Sequence, residues 1–185
     1  MITTRLLSIT EYGQYAVWLK KLDAETRQTY FGIHCSDEQI DRLVEGVVES
    51  APKHHFLVAE YKGSWIGTIH ISESQIDEVE FGVIVDAEHR GNGIADRMMS
   101  EAIVWARNRG YNSLYMHCLS WNQPIKHLCT KYGMSLRSEY GETETKLPLP
   151  PADLNTITQE IVTRNRNVYR MFLQNTNPLF AEIYG

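Results

Sequence analysis

The chain has 185 residues, 43% of them hydrophobic, and its 18 Lys+Arg against 23 Asp+Glu leave a net charge of −5. That length and apolar content support one buried core and exclude a wholly disordered chain. The acidic balance argues against broad nucleic-acid binding, which leaves a basic footprint, and no apolar run approaches the ~20 residues that span a bilayer.

Residues 4–9 read as a short strand and 11–21 as a helix with Thr10 as its N-cap. Over 36–50, Ile40, Leu43, Val44, Val47 and Val48 repeat at i, i+3, i+4, i+7 and i+8, one stripe of a helix. Ser36 and Gln39 have capping-box spacing at its start, and Pro52 forbids its continuation. Three strands follow at 55–61, 65–72 and 79–85, with Lys62-Gly63 as a tight turn and the polar 72–77 as the second. A polar connection over 86–92 leads to a helix over 94–109, its buried face made of Ala95, Met98, Met99, Ala102, Ile103 and Ala106 and its end set by Gly110. Next come a strand at 113–119, a short helix over 123–131 opened by Pro124, a strand from 134, and another at 142–147 reached through Tyr140-Gly141. Pro148-Leu149-Pro150-Pro151 is a stiff spacer. The last helix, 153–174, has Leu154, Ile157, Ile161, Val168 and Phe172 on its apolar face and is expected to pack on the domain or on a second subunit. This order, β-α-α-β-β-β-α-β-α-β-β plus a helix, indicates a mixed α/β (α+β) sheet protein.

Chemistry concentrates between Val79 and Ala95, where a strand runs through a glycine-containing loop into a helix. The first turn of a helix carries four backbone N–H groups without intrahelical partners, and its dipole favours negative charge. Gly91 and Gly93 lack the Cβ atoms that would keep a ligand off the main chain, and Arg90 adds a cation, so a phosphate or pyrophosphate is the expected occupant. Plain turn geometry would also account for these glycines. The GxxxxGK[ST] loop and a full GxGxxG are both absent, which disfavours those two nucleotide folds. Cys35, Cys118 and Cys129 cannot all pair, and neither Cys-x-x-Cys nor HExxH spacing marks a metal site. The first residues lack the apolar stretch of a secretion signal, and the cytoplasm is the expected compartment.

Arg90-Gly91-Asn92-Gly93-Ile94-Ala95 resembles the [QR]xxGx[GA] signature of the GNAT family of N-acetyltransferases, within a longer string VxxxxRGNGIAxxMM. Asn122 with Gly133-Met134 is similar to the family's second segment, so the resemblance runs over about residues 3–147. It implies a mostly antiparallel sheet flanked by helices, with a V-shaped splay between the fourth and fifth strands and an appended C-terminal helix. The expected division is an acetyltransferase domain over 1–149 and a proline-led linker and helical extension over 150–185.

The resemblance further implies acetyl-CoA or CoA as co-substrate, no metal, and transfer of an acetyl group to a primary amine of a small metabolite or a protein. Backbone amides of Arg90, Gly91, Asn92, Gly93, Ile94 and Ala95 would hold the pyrophosphate, and Val83, Ile84 and Val85 the pantetheine arm. Asn122 would contact CoA or simply cap the helix before Pro124. Glu80 is the candidate general base, because VEFGVIV is similar to the xEFxxxV strand of bacterial protein-lysine acetyltransferases. Cys129 occupies the position where many members carry the tyrosine that acts as acid, leaving the thiol, solvent, or an inert core cysteine as readings there. His70 and His117 lie on strands, where one could line the acceptor cleft, while Trp18, Tyr30 and Phe31 could shape the pocket or the core. The alternative function is a CoA-binding regulatory or interaction domain with weak turnover. No nucleic acid or membrane partner is expected, and the last helix leaves room for a homodimer.

Overall fold

The computed structural model describes the backbone of residues 2–176 and the side chains of residues 2–170. In chain order the elements are β1 (Ile2–Leu6), α1 (Tyr12–Lys21), α2 (Ala24–Phe31), α3 (Asp37–Glu49), β2 (His54–Tyr61), β3 (Ser64–Gln75), β4 (Glu78–Val85), α4 (Ile94–Asn108), β5 (Ser113–Leu119), α5 (Gln123–Lys131), β6 (Ser135–Glu139), β7 (Glu142–Pro148) and α6 (Leu154–Thr176). The strands make one sheet in the order β1-β2-β3-β4-β5-β7-β6. Every neighbouring pair is antiparallel except β4–β5, which is parallel.

Helices cover both faces of the sheet, so alternate residues of one strand serve two cores. Leu57, Ala59, Phe81 and Val83 meet Met98, Met99, Ala102 and Ala106 of α4. Phe56, Val58 and Ile84 instead pack with Tyr15, Leu19, Ile40 and Val44 from α1 and α3. The capping box at α3 is present, with Gln39 N–H donating to Ser36 Oγ at 3.3 Å and Ser36 N–H to Gln39 Oε1 at 2.8 Å.

Four details differ from the sequence reading. Ser8 and Glu11 form a capping box around a single 3₁₀ turn over Ile9–Glu11, so the first strand ends at Leu6 and not at residue 9, and Glu11 and not Thr10 precedes α1. Strand β3 extends to Gln75 because Glu73 and Gln75 still pair with Val79 and Glu78, which moves the turn to Ile76-Asp77. Helix α2 lacks an apolar period and was not expected; Asp23 caps it by accepting the Thr26 N–H at 2.8 Å, and Gly32 closes it at φ 75°. Finally, α6 packs on α4 and β1, but with the side opposite its apolar stripe: Thr156 and Asn167 are buried while Leu154, Ile157, Ile161 and Val168 are exposed. The side chain of Phe172 lies outside the described residues. Beneath α6 is a cavity of about 410 Å³ floored by Leu57, Ile71, Ala102 and Trp105. No described helix is long and apolar enough to cross a membrane.

Candidate functional site

Strands β4 and β5 pair only at Glu78–Ser113, Val79–Leu114 and Glu80–Tyr115. After Glu80 they part, because β5 stays registered with β7 from Ser113–Pro148 to Leu119–Glu142 while β4 follows β3 as far as Val85–Gly67. The result is a V with Glu80 at its apex. Along its open side, residues 81–85 of β4 have no strand to take their outward main-chain groups, which makes an edge ready to pair with an extended ligand. Val83, Ile84 and Val85 are on that edge.

The loop from β4 to α4 closes the mouth of the V. Gly91 and Gly93 adopt φ of 77° and 70°, a region where other residues pay a steric penalty. Among the described residues, the first main-chain donation from this turn is Arg97 N–H to Gly93 O at 3.0 Å, which leaves the N–H groups of residues 91–96 without acceptors. Six successive donors at a helix N-terminus form an anion cradle. Asn92 shapes it by donating from its side-chain amide to the carbonyls of His89 and Arg90 at 3.1 and 3.2 Å. Arg90 departs from the expectation that its amide would face the anion: its N–H is given to Ala87 O at 3.3 Å, and its guanidinium donates to Val85 O at 3.2 Å and to Thr26 Oγ1 at 2.6 Å. It clamps the loop to α2.

Asp96, in the first turn of α4, would oppose an anion there. Its carboxylate is paired with Lys131 Nζ at 2.8 Å and accepts the Tyr132 hydroxyl at 3.0 Å. The bond to Lys131 is the main reason this carboxyl is held below its usual range. Tyr132, its hydroxyl raised to about 12 by burial and then by Asp96, is thereby committed to joining α5 to α4. Asn122 is buried at the start of α5, where its Oδ1 accepts the Ile125 N–H at 3.4 Å; the capping role is the one its contacts show.

On the α1–α3 side of the sheet, Glu80, Gly82 and Ile84 share one face of β4. Ser72 lies beside Glu80, His70 beside Gly82, and Thr68 beside Ile84. Helix α2 crosses this face and lays the Tyr30 phenol over Gly82; a Cβ added there would lie 2.5 Å from the Tyr30 hydroxyl. Tyr30 is in turn 3.3 Å from the Tyr15 hydroxyl. Burial, and further the charge of Glu80, push the Tyr30 hydroxyl up. Tyr15, Thr26 and Tyr30 were not picked out together from sequence. The Asp23 cap and Gly32 stop are the signals that could have bracketed α2. Trp18 is a core residue, donating from Nε1 to Trp65 O at 2.9 Å, and Phe31 packs edge-on against Tyr30 with centroids 5.0 Å apart.

His70 stacks on Phe56 at 4.6 Å, and its Nε2 is 2.9 Å from Nδ1 of His54, while His117 is exposed on β5. Burial first, then His54 and His55, hold His70 down to about 4. A folded state that keeps this imidazole neutral gives up a proton the unfolded chain binds. His70 therefore contributes full stability above its ordinary value near 6.5 and loses it as pH falls through 6.5 to about 4. The expected loss from this group is about 2–3 kcal/mol, measured by urea unfolding from pH 7 to 4. In His70→Gln this acid slope should shrink to the part left by His54 and His55; an unchanged slope would remove His70 as its source.

Cys129 is sealed in the core, its thiol 3.9 Å from Met116 Sδ and 3.8 Å from Thr145 Oγ1, and burial pushes that thiol up. It has no surface open to the V, because α5 turns Leu128 and Cys129 inward to fill the core. The geometry gives a proton donor at this position no access.

Known proteins agree with this arrangement. The sequence model of the Acetyltransferase (GNAT) family matches residues 18–134. No curated protein matches the sequence. The fold is similar to an N-acetyltransferase from Staphylococcus aureus Mu50, with TM-score 0.62 and 17% identity over 81% of this chain and 99% of that one. It is also similar to the GNAT domain of S. lividans PAT, with TM-score 0.64 and 18% identity over 79% and 89% of the two chains. A spermidine N-acetyltransferase from Vibrio cholerae, solved with CoA and spermine, gives TM-score 0.63 and 16% identity over 80% and 95%. With a splayed β4–β5 pair and a glycine-shaped anion cradle inside the matched segment, this chain belongs to the acetyltransferase (GNAT) family.

Proposed function

We propose that the protein is an N-acetyltransferase that moves an acetyl group from acetyl-CoA to a primary amine by direct attack in a ternary complex. The observation that carries this reading is the cradle of unpaired N–H groups over residues 91–96, at the mouth of a V whose apex is Glu80. The cradle fits a pyrophosphate, with its charge met by main-chain donors and with Asp96 neutralised by Lys131. The free edge of Val83, Ile84 and Val85 fits the amide-bearing pantetheine arm as an added strand. Acetyl-CoA supplies an activated acyl group as a thioester.

The chain's own part is to position and to move a proton. The acceptor must present a neutral nitrogen, and Glu80 is the proposed base that takes its proton, directly or through water. As the C–N bond forms and the C–S bond breaks, the departing thiolate takes a proton from solvent, since Cys129 is sealed away. An outward N–H of β4 is the donor available to the developing oxyanion. Tyr30, Tyr15 and His70 wall the acceptor side. The acceptor is a primary amine of a small metabolite or of a protein; the spermine in the Vibrio cholerae structure is an amine of the first kind. We assign the acetyltransferase unit to residues 1–149, where Leu149 still belongs to the α4-side core, and the extension to 150–185. The cytoplasm is the proposed compartment.

Thermal unfolding with added ligands tests the reading. CoA and acetyl-CoA at about 100 times their Kd should stabilise the protein by about 2.7 kcal/mol, and ATP or NAD should not. For a chain of this size that is roughly 5–10 °C in Tm. Release of free thiol from acetyl-CoA in the presence of primary amines then distinguishes an enzyme from a CoA binder with weak turnover. Absence of stabilisation by either CoA species would remove both.

A further inference from the structure

Helix α6 is amphipathic the wrong way round for a helix that only packs on its own domain. Its inward residues, Thr156, Glu160, Thr163 and Asn167, recur at i, i+4, i+7 and i+11 and are polar. They are tied down. The Asn108 side-chain amide donates to Thr156 O at 3.1 Å and to Glu160 at 2.6 Å, and Arg109 donates to Glu160 at 3.0 Å. Asn167 donates to Thr4 Oγ1 at 2.9 Å and accepts from Arg97 at 3.3 Å. These bonds fix the roll of the helix, so its apolar stripe cannot turn inward without breaking them.

The exposed stripe is Leu154, Ile157, Ile161 and Val168, the last also at the rim of the cavity under the helix, and it is flanked by Val162 and Tyr169. Leu154 is 82% exposed, Ile161 55% and Val168 60%. Together the six residues leave on the order of 600 Å² open, the upper end of what a monomer's largest apolar patch shows. That is most of the ~800 Å² per partner found in a stable protein–protein interface. Polar residues at the edge of the stripe would supply the remainder.

The stripe is also complementary to itself. If two copies of α6 cross antiparallel with the axis at Ile161, Leu154 of each faces Val168 of the other and Ile161 meets its own mate. Such an isologous contact closes after two subunits. A parallel pair would stack Arg164 and Arg166 on their own counterparts, a repulsion that the antiparallel pair avoids.

We propose that α6 is the contact surface of a homodimer, in which two copies pack antiparallel through Leu154, Ile157, Ile161 and Val168 about a twofold axis at Ile161. This is independent of the acetyl-transfer reading.

Sedimentation of the full chain should show a dimer. Ile161→Glu, at an exposed position, should sediment as a monomer while keeping its fold and its stabilisation by CoA. In a Cys118→Ser background, Ile161→Cys should form a disulfide-linked dimer on mild oxidation, and Leu154→Cys should link to Val168→Cys and not to itself. A monomeric wild type, a dimer that survives Ile161→Glu, or Leu154→Cys linking to itself would each overturn the proposal. So would a wild-type monomer that binds anionic phospholipid vesicles, or one that dimerises only after residues 177–185 are removed. Those last two outcomes would assign the stripe to a membrane surface or to the chain's own end.

Discussion

Glu80→Gln is expected to bind CoA as the wild type does and to turn over about 10²- to 10⁴-fold more slowly, the usual worth of a general base. That range corresponds to roughly 3–5 kcal/mol of barrier. The substitution keeps the size of the side chain and removes only its charge and its capacity to accept a proton. Binding of CoA should be spared because the anion cradle is built from the main chain of residues 91–96, beyond the opposite end of β4. Catalysis should suffer because Glu80 is the last β4 residue registered with β5 and lies on the face covered by Tyr30. Thiol release across a pH series, with thermal shifts by CoA as the control for folding, measures both. A rate within tenfold of wild type and an unaltered pH profile would rule Glu80 out as the base.

Gly82→Ala should lower kcat/KM by about 10²-fold without removing any polar atom of the site, a size of effect that a displacement near 1 Å can produce. Backbone strain is not the cause, since Gly82 sits in regular strand. The cause is occupancy: the new methyl group would stand 2.5 Å from the Tyr30 hydroxyl and 3.2 and 3.3 Å from two of its ring carbons. Tyr30 has to swing away, and α2 is not free to follow because Thr26 is held by Arg90 at 2.6 Å. Overpacking of this kind costs about 1–3 kcal/mol. A double-mutant cycle reads it out: with Tyr30→Ala in place, Gly82→Ala should no longer lower Tm. Additive losses of Tm would show that the phenol and the glycine are not coupled.

These two positions show how far the sequence is informative. The place of Glu80 on β4 was legible because strand alternation and a motif both point to it, and each acts over a few residues. The loop over 90–95 was legible for the same reason: φ above zero at Gly91 and Gly93 and a helix start just after them are local properties. Tyr30 was singled out as a residue of the pocket or the core, but its place over Gly82 was not legible. Its partner Gly82 is far away in sequence, and the helix that carries it has no apolar period, only a cap at each end. Arg90 was read as a cation added to the loop, and composition cannot show that Thr26 and the Val85 carbonyl take up its side-chain donors. At Cys129 the spacing from Gly133 identifies a position, but only the packing of Met116 and Thr145 around it reveals a sealed thiol.

Helix α6 marks the same boundary from the other side. Its amphipathicity is a matter of 3.6-residue periodicity, and the sequence alone identified the stripe of Leu154, Ile157, Ile161 and Val168. Which side faces the domain depends on Thr4, Arg97, Asn108 and Arg109, whose bonds to Thr156, Glu160 and Asn167 hold the polar side and leave the apolar side outward. By itself, then, the sequence determined every element but α2, the glycine turn before α4 and the place of Glu80 on its strand, because caps, periodicity and glycine torsions are local. Tertiary structure decided where the strands part, what stands over Gly82 and which way α6 faces, because those outcomes depend on contacts between residues distant along the chain.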